Sequence, residues 1–146
     1  MKDLVPPHGG LEEPVNRIVP GAEAAAFAER AASLPAISVR EADRSTVDRI
    51  ADGVLSPLTG FMTREVFDRA LDEMVIESRG ERYVWGIPLS LPVTDEEKAK
   101  LKVGEEAALR DESGELLGTI AVESLFEWDK ARYNERVYGT ERQDHP

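Results

Sequence analysis

The feature that most constrains the fold is an alternating run in the second half of the chain. In "RYVWGIPLSLPV" (82–93) every odd position is apolar. A period of two residues turns alternate side chains to opposite faces, which is typical of a half-buried β-strand. Pro88 and Pro92 fall at even positions, and proline cannot donate a ladder hydrogen bond, so we expect an edge strand or a break near Pro88. The run predicts a sheet in the C-terminal half.

Other patterns in this half agree with that sheet. "EEAALRDESGELLGTIAVESLFEW" (105–128) predicts a hairpin that turns at 111–114. "TDEEKAKL" (94–101) predicts a short helix, because its first and fourth residues have the spacing of a capping box. "DKARYNERVYG" (129–139) predicts a last helix between an aspartate N-cap and a glycine C-cap.

The N-terminal half is dominated by helical patterns. "AEAAAFAERAA" (22–32) has high helix propensity. A second helix is predicted over 44–53, where Ser45 and Asp48 have capping-box spacing, and a third over 63–74, with a threonine as its N-cap. The apolar faces at helical spacing are Val47, Ile50, Ala51 and Val54 on the second helix, and Val66, Phe67, Ala70, Leu71 and Met74 on the third. Helices followed by strands favour an α+β fold over an alternating parallel one.

The remaining segments complete the expected organisation. Four prolines and a Gly-Gly pair in residues 1–20 predict an extended arm. "AISVR" (36–40) predicts a short strand. A length of 146 residues is typical of one domain, so we expect a single domain over 1–146.

Charge and composition exclude several classes of function. The formal net charge is -11, and no cluster of lysine or arginine stands out along the chain. Binding to nucleic acid or to an anionic membrane needs a basic face, so neither is an expected partner. The absence of cysteine excludes disulfides, thiolate metal sites and a cysteine nucleophile. The sequence contains neither a signal-peptide core nor a run long enough for a membrane span, so we expect a cytoplasmic protein.

A search for residues that carry chemistry yields no catalytic residue, no cofactor-binding residue and no metal ligand. Neither glycine-rich nucleotide motif is present. His8 and His145 lie near opposite ends, and a metal site would need carboxylates beside them. The glycine pair of "PPHGG" (6–10) is a weak signal for an anion site. Ser56 lies in a sequence that differs from a nucleophile elbow, which favours a turn-forming role.

"GVLSPLTGFM" (53–62) is the most unusual stretch, because it combines turn residues with apolar side chains and has no charge. Loops are ordinarily polar. Gly53 suits a left-handed helix cap, and Pro57 with Gly60 predicts a tight turn. This turn would hold an apolar wedge of Leu55, Leu58, Phe61 and Met62, with Leu58 and Phe61 largely buried. The wedge either fills the domain's own core or faces another domain, and the sequence leaves both readings open.

The same stretch resembles a signature near the N-terminus of ATP sulfurylase (sulfate adenylyltransferase). The signature positions, whose role is unassigned, are Gly53, Ser56, Pro57, Leu58, Gly60, Phe61 and Met62. Four more segments resemble that family in the same order: "LVPPHGG" (4–10), "LPAISVREADRSTVDRIADG" (34–53), "IPLSLPV" (87–93) and "VYGTERQDHP" (137–146). The resemblance extends over the whole chain.

The resemblance implies a PUA-like pseudo-barrel, with helices in the N-terminal half and mainly strands in the C-terminal half. Members of the family join sulfate to ATP, releasing adenosine 5′-phosphosulfate and pyrophosphate, and their catalytic signatures lie in the following domain. This chain is therefore expected to be an N-terminal scaffold domain that ends at the start of a linker (139–146) to that domain. ATP and sulfate would be substrates of the longer enzyme, whose catalytic domain would be the partner.

Three further expectations depend on the same resemblance. The chain alone is expected to be inactive, since neither catalytic signature occurs in it. A homo-oligomer would form through the longer enzyme. The alternative is a free-standing PUA-like binding or regulatory module, and the sequence does not establish whether the chain is a fragment or a complete protein.

Overall fold

The computed structural model describes residues 5–142, and its short helices and strands lie between Gly21 and Tyr138. They are α1 (Ala24–Ala31), β1 (Ala36–Val39), α2 (Glu41–Ala51), α3 (Arg64–Glu73), β2 (Val75–Ser78), β3 (Glu81–Val84), α4 (Asp95–Lys98), β4 (Glu106–Asp111), β5 (Leu116–Ala121) and α5 (Lys130–Tyr138), with a 3-10 turn at Gly21–Glu23. The predicted α+β class is confirmed, since helices are concentrated in the first half and strands in the second.

The larger sheet has three strands in the order β1-β4-β5. β1 pairs in parallel with β4, and β4 pairs antiparallel with β5. β4 is the central strand, with both edges paired. Three of its consecutive residues, Ala107, Ala108 and Leu109, are buried, so both of its faces are covered there. The predicted hairpin over 105–128 is confirmed, although its second strand ends at Ala121.

A second sheet contains only β2 and β3. Arg79 and Gly80 connect them with φ of 52° and 81°, the pair of positive values that suits a two-residue hairpin turn. The sequence patterns did not reveal β2, and of the predicted run over 82–93, residues 82–84 lie in a strand while 85–93 do not. The ladder ends before Pro88, in line with the expected break, and neither Pro88 nor Pro92 has an N–H with which to resume it.

The strands do not close into a barrel. Among residues 5–142 they form two separate sheets, and β1 from the N-terminal half joins the larger one. In the described residues the implied pseudo-barrel is therefore present as two open sheets and not as a closed barrel, and one of its strands comes from the first half.

The second helix begins earlier than its predicted bounds. α2 starts at Glu41 with Arg40 as N-cap, so Ser45 lies inside the helix and the predicted capping box is wrong. The Arg40 side chain lies 2.7 Å from the Asp43 carboxylate, and two acidic residues in the first turn suit the positive end of the helix dipole. Val54 lies beyond the helix and is 64% exposed, so it is not on the apolar face.

The remaining caps agree with the predictions. The side chains of Thr63, Thr94 and Asp129 accept hydrogen bonds at the starts of α3, α4 and α5, and Thr94 forms the predicted capping box with Glu97. Gly139 ends α5 with φ of 69°. One residue of the α3 stripe differs from its prediction, because Met74 takes a left-handed conformation that leaves it 55% exposed.

Two apolar clusters form the core. The sheet core consists of Ile37, Val39, Leu101, Ala107, Leu109 and Val122. The loop core consists of Met62, Phe67, Ala70, Leu71 and Ile76, with Leu58, Val66, Tyr83, Trp85, Phe126, Tyr133 and Val137 packed against it. The signature stretch contributes to the loop core, which places it at a junction of α3, the small sheet and α5.

Candidate functional site

The signature stretch folds into a compact turn that is tied together by its own polar groups. Gly53 has φ of 83°, as predicted for a left-handed position. Its carbonyl oxygen accepts from the Ser56 hydroxyl at 2.6 Å and from the Ser56 N–H at 3.0 Å. Ser56 is buried and joined to Pro57 by a cis peptide bond. Ser56 is thus the turn-forming serine that the sequence favoured.

The N-terminal arm lies directly on this turn. The Val15 N–H donates to the Ser56 hydroxyl oxygen at 2.9 Å, and the Arg17 N–H donates to the Ala51 carbonyl at 2.8 Å. A Cβ atom on Gly53 would lie 2.0 Å from the Val15 carbonyl oxygen. Glycine is therefore required at position 53 both by its positive φ and by the closeness of the arm.

The glycine pair of the arm is also used for close packing. Gly9 is buried, and a Cβ there would lie 2.5 Å from the Pro57 ring. The Gly9 carbonyl accepts from the Ser78 hydroxyl at 2.8 Å, and His8 Nε2 donates to the Val84 carbonyl at 2.9 Å. The pair that suggested an anion site thus brings the arm against the signature turn and the small sheet.

The apolar wedge is only partly buried. Met62 is 6% exposed and is held by paired contacts with Leu89: the Met62 N–H donates to the Leu89 carbonyl at 3.0 Å, and the Leu89 N–H donates to the Met62 sulfur at 3.4 Å. Leu58 and Phe61 are half-buried, so their predicted burial is incomplete. Leu58 packs on the loop core, whereas Phe61 belongs to neither cluster.

Phe61 is held between two grooves, which explains its partial exposure. The first, which we term the β5-edge groove, has a volume of about 940 Å³ and is lined by α1, α2, residues 57–63, part of β2 and all of β5. The second, the aromatic groove, has about 670 Å³ and is lined by residues 88–93, residues 120–128 and α5. The signature turn therefore contributes both to the core and to open surface.

A network of ion pairs fixes α5 to α3. The Arg132 guanidinium donates to the Asp68 carboxylate at 2.8 Å and to the Asp72 carboxylate at 2.7 Å. Arg64 donates to Asp68 from the same helix at 2.7 Å. Partial burial raises the pKa of Asp68, but the hydrogen bonds and charges of Arg64 and Arg132 outweigh it and hold that pKa below its ordinary value. The network positions α5 beside the aromatic groove.

Aromatic rings line the same region. The Tyr133 ring lies 6.2 Å from Phe67 and 5.2 Å from Trp128, centroid to centroid. Burial raises the pKa of Tyr133 above its ordinary value. Its phenol therefore stays protonated at neutral pH, and the ring acts as packing between α5 and the loop core.

The structure gives no constellation of metal ligands in the part that it describes. Within residues 5–142 no three histidine, aspartate or glutamate side chains are close enough to hold a metal ion. His8 is exposed on the arm, while His145 lies outside the described residues. No helix over the same range is long and apolar enough to cross a membrane.

Comparison with known proteins places these features in a family. Residues 5–146 match the model of a PUA-like domain. A sulfate adenylyltransferase of Pyropia yezoensis is 50% identical over all of this chain, which covers 33% of that protein. A sulfate adenylyltransferase of Halothermothrix orenii is 38% identical over 98% of this chain, which covers 36% of it. The chain thus spans about a third of the length of the curated relatives that it matches.

A solved structure has the same fold. A hexameric APS kinase from Thiobacillus denitrificans superposes with a TM-score of 0.74 and 30% sequence identity. The match covers 87% of this chain and 24% of that one. The similarity therefore concerns one part of a larger protein, as it does for the sequence relatives.

Proposed function

The chain belongs to the PUA-like domain family, and from that premise we propose that it is the N-terminal scaffold domain of a sulfate adenylyltransferase. One observation carries the proposal: similarity to a sulfate adenylyltransferase extends over the entire chain at 50% identity. The contacts of the signature support a scaffold role, since Ser56 and Gly53 bind the arm and Met62 is part of the loop core. Each of these residues performs a packing task.

The reaction that we propose for the whole enzyme joins ATP and sulfate into adenosine 5′-phosphosulfate and releases pyrophosphate. Both substrates are anions, so the reacting site must stabilise crowded negative charge with cations or oriented donors. This chain has 29 acidic residues against 18 lysines and arginines. Several of those cations, Arg44, Arg69 and Arg132 among them, already pair with carboxylates. The catalytic groups would therefore come from the other two thirds of the enzyme.

The proposed partner is the catalytic domain of the same enzyme, in a cytoplasmic protein. A homo-oligomer is proposed through the longer enzyme, supported by a structural neighbour that is hexameric. The exposed faces of Phe61 and Trp128 beside the two grooves are suitable contact points, because apolar groups on a surface commonly mark interfaces.

The test is pyrophosphate release from ATP and sulfate. The 146-residue chain alone is expected to give none. Fusing it to the remaining two thirds of the Pyropia yezoensis relative is expected to give turnover, with that remaining segment alone as the control. Turnover by the chain alone that survives repurification would contradict the proposal. Failure of the fusion, under conditions where the intact relative is active, would favour a free-standing binding or regulatory module.

A further inference from the structure

The free edge of β5 is the feature of the surface that the scaffold role leaves unexplained. Among residues 5–142, β5 pairs with β4 on one side and with no strand on the other. Every residue from Leu116 to Ala121 lines the β5-edge groove. Side chains alternate between the faces of a strand, so a groove that touches all of them runs along the edge. The backbone of β5 is therefore accessible from this groove.

The pairing pattern identifies the exposed backbone groups. Val122, which follows β5, directs both of its backbone groups toward β4: its N–H donates to the Glu105 carbonyl at 2.9 Å, and its carbonyl accepts from the Gly104 N–H at 2.8 Å. Orientation alternates along a strand, so the groups of Thr119 and Ala121 point away from β4. Within residues 5–142 β5 has no partner strand on that side, and no turn or loop hydrogen bond reaches those groups. They are free to pair with another strand.

The sequence of this edge does not protect it from pairing. Edge strands are ordinarily blocked by proline, lysine or an inward-pointing charge. "LLGTIA" (116–121) has none of these. Three consecutive residues of β2, Ile76 to Ser78, line the same groove, and α1 contributes Phe27 and Ala28 as an apolar wall. An inserted strand would find backbone partners on β5 and apolar surface for alternate side chains.

The charges around the groove indicate which kind of segment would bind there. Exposed carboxylates lie at both ends of the edge, at Glu115 and Glu123, and Glu106 and Glu77 line the groove as well. Glu77 pairs with Arg69 at 3.0 Å. Arg17 and Arg30 are the lining cations among the described residues, so carboxylates outnumber them.

A second copy of the chain would be a poor occupant. Antiparallel pairing of β5 with itself would bring Glu115 of one copy near Glu123 of the other, and each copy has a net charge of -11. We therefore propose that the β5 edge binds an extended peptide segment with an apolar centre and basic ends, which adds to the sheet as a fourth strand. The proposal does not depend on the enzymatic role.

The test uses the 146-residue chain and a short acetylated peptide of alternating valine and threonine with a lysine pair at each end. Binding is expected to protect the Thr119 and Ala121 amides from hydrogen exchange and to shift their NMR resonances. Two control peptides are matched in length: one has glutamate pairs at its ends, and the other is methylated on every valine and threonine amide. Each control is expected to bind at least about tenfold more weakly, a factor that corresponds to 1.4 kcal/mol.

Two variants locate the site. Thr119→Pro removes one outward N–H without removing a hydrogen bond to β4, and edge strands tolerate such a proline. It is expected to weaken binding of the lysine-flanked peptide at least about tenfold. The double variant Glu115→Lys/Glu123→Lys keeps the edge intact and is expected to reverse the preference toward the glutamate-flanked peptide. It keeps the test valid if Thr119→Pro does not fold.

Three results would overturn the proposal. One is equal binding of the methylated peptide, which would exclude backbone pairing. Another is the absence of binding by the lysine-flanked peptide, or protection that lies elsewhere than β5. The third is dimerisation of the chain alone in sedimentation equilibrium with β5 amides protected, which would make a second copy the occupant.

Discussion

The sheet core and the loop core differ in how their residues are brought together. The sheet core is aliphatic, and four of its six members lie on β1 and β4, whose register fixes their neighbours, as Ile37 opposite Leu109 shows. The loop core includes Phe67, and the aromatic side chains packed against it are Tyr83, Trp85, Phe126 and Tyr133. Its loops are joined by the paired hydrogen bonds between Met62 and Leu89 and by one from the Arg64 N–H to the Ser124 hydroxyl. Its ladder pairing comes from the small sheet, where Ile76 lies opposite Tyr83, and the rest of it is organised by side-chain shape.

This difference indicates which of the two cores can contribute side chains to a binding surface. A core fixed by a ladder tolerates little change around its strands, whereas the loop core ends in side chains that are only half-buried, such as Phe61 and Leu58. Those side chains extend from the core into the grooves. The signature turn thus links the stable interior to the surface that we expect to meet a partner.

The largest effect is expected from removing the central ring of the loop core. Phe67→Ala should lower the free energy of unfolding by about 3–5 kcal/mol, since Phe67 is 4% exposed and packs against Phe126 at 5.3 Å between ring centroids. Phe61→Ala is the matched control and should cost roughly 1 kcal/mol, because Phe61 is already partly in contact with water. Urea melts measure both, and equal losses would show that Phe61 is a core residue.

Two glycine variants separate the packing of the arm from backbone strain, and their expected losses of stability are smaller. Gly114→Ala should cost about 1–2 kcal/mol, because φ is 88° and nothing lies within 4 Å of the added Cβ. Gly53→Ala has a similar φ of 83° and adds a clash with the Val15 carbonyl, so overpacking should cost about 1–3 kcal/mol more. Thermal melts compare the two. A loss at Gly53 no larger than that at Gly114 would mean that the arm does not pack on the turn.

The smallest effect concerns pH and the ion pairs between α3 and α5. The pKa of Asp68 is depressed in the folded state. The ionised side chain therefore stabilises the fold at pH values above its unfolded pKa of about 3.9, and this stabilisation is lost as the pH falls through the folded pKa. Wild type should therefore lose more stability than Asp68→Asn between about pH 5 and pH 2. Asp48→Asn, at an exposed carboxylate that pairs with no cation among residues 5–142, is the control. Parallel acid-unfolding curves for all three proteins would contradict this contribution.

The sequence predicted the elements that depend on neighbouring residues. The caps at Thr94 and Asp129 and the hairpin at β4 and β5 were found correctly, because their partners lie a few positions away. The strand beyond Val84 was wrong, since alternating side chains indicate a half-buried extended segment and do not by themselves provide a ladder.

The candidate site was harder to predict for the same physical reason. Ser56 was correctly assigned to a turn, but its bond to Val15 spans 41 positions and no local pattern indicates it. Whether the wedge was core or interface could not be decided from composition. In the structure the residues of the wedge differ in this respect: Met62 is part of the loop core, and Phe61 lies between the two grooves.

The most direct test of the central claim, that the signature turn holds the N-terminal arm, is amide hydrogen exchange at Val15. Ser56→Ala removes the acceptor of the Val15 N–H, and Thr59→Ala is the control at an exposed position in the same turn. We predict that protection of the Val15 amide falls at least about tenfold in Ser56→Ala. Protection of Val15 in Thr59→Ala, and of the Leu109 amide of the sheet core in both variants, should stay unchanged. Rapid exchange of Val15 in the wild type, or undiminished protection in Ser56→Ala, would contradict it.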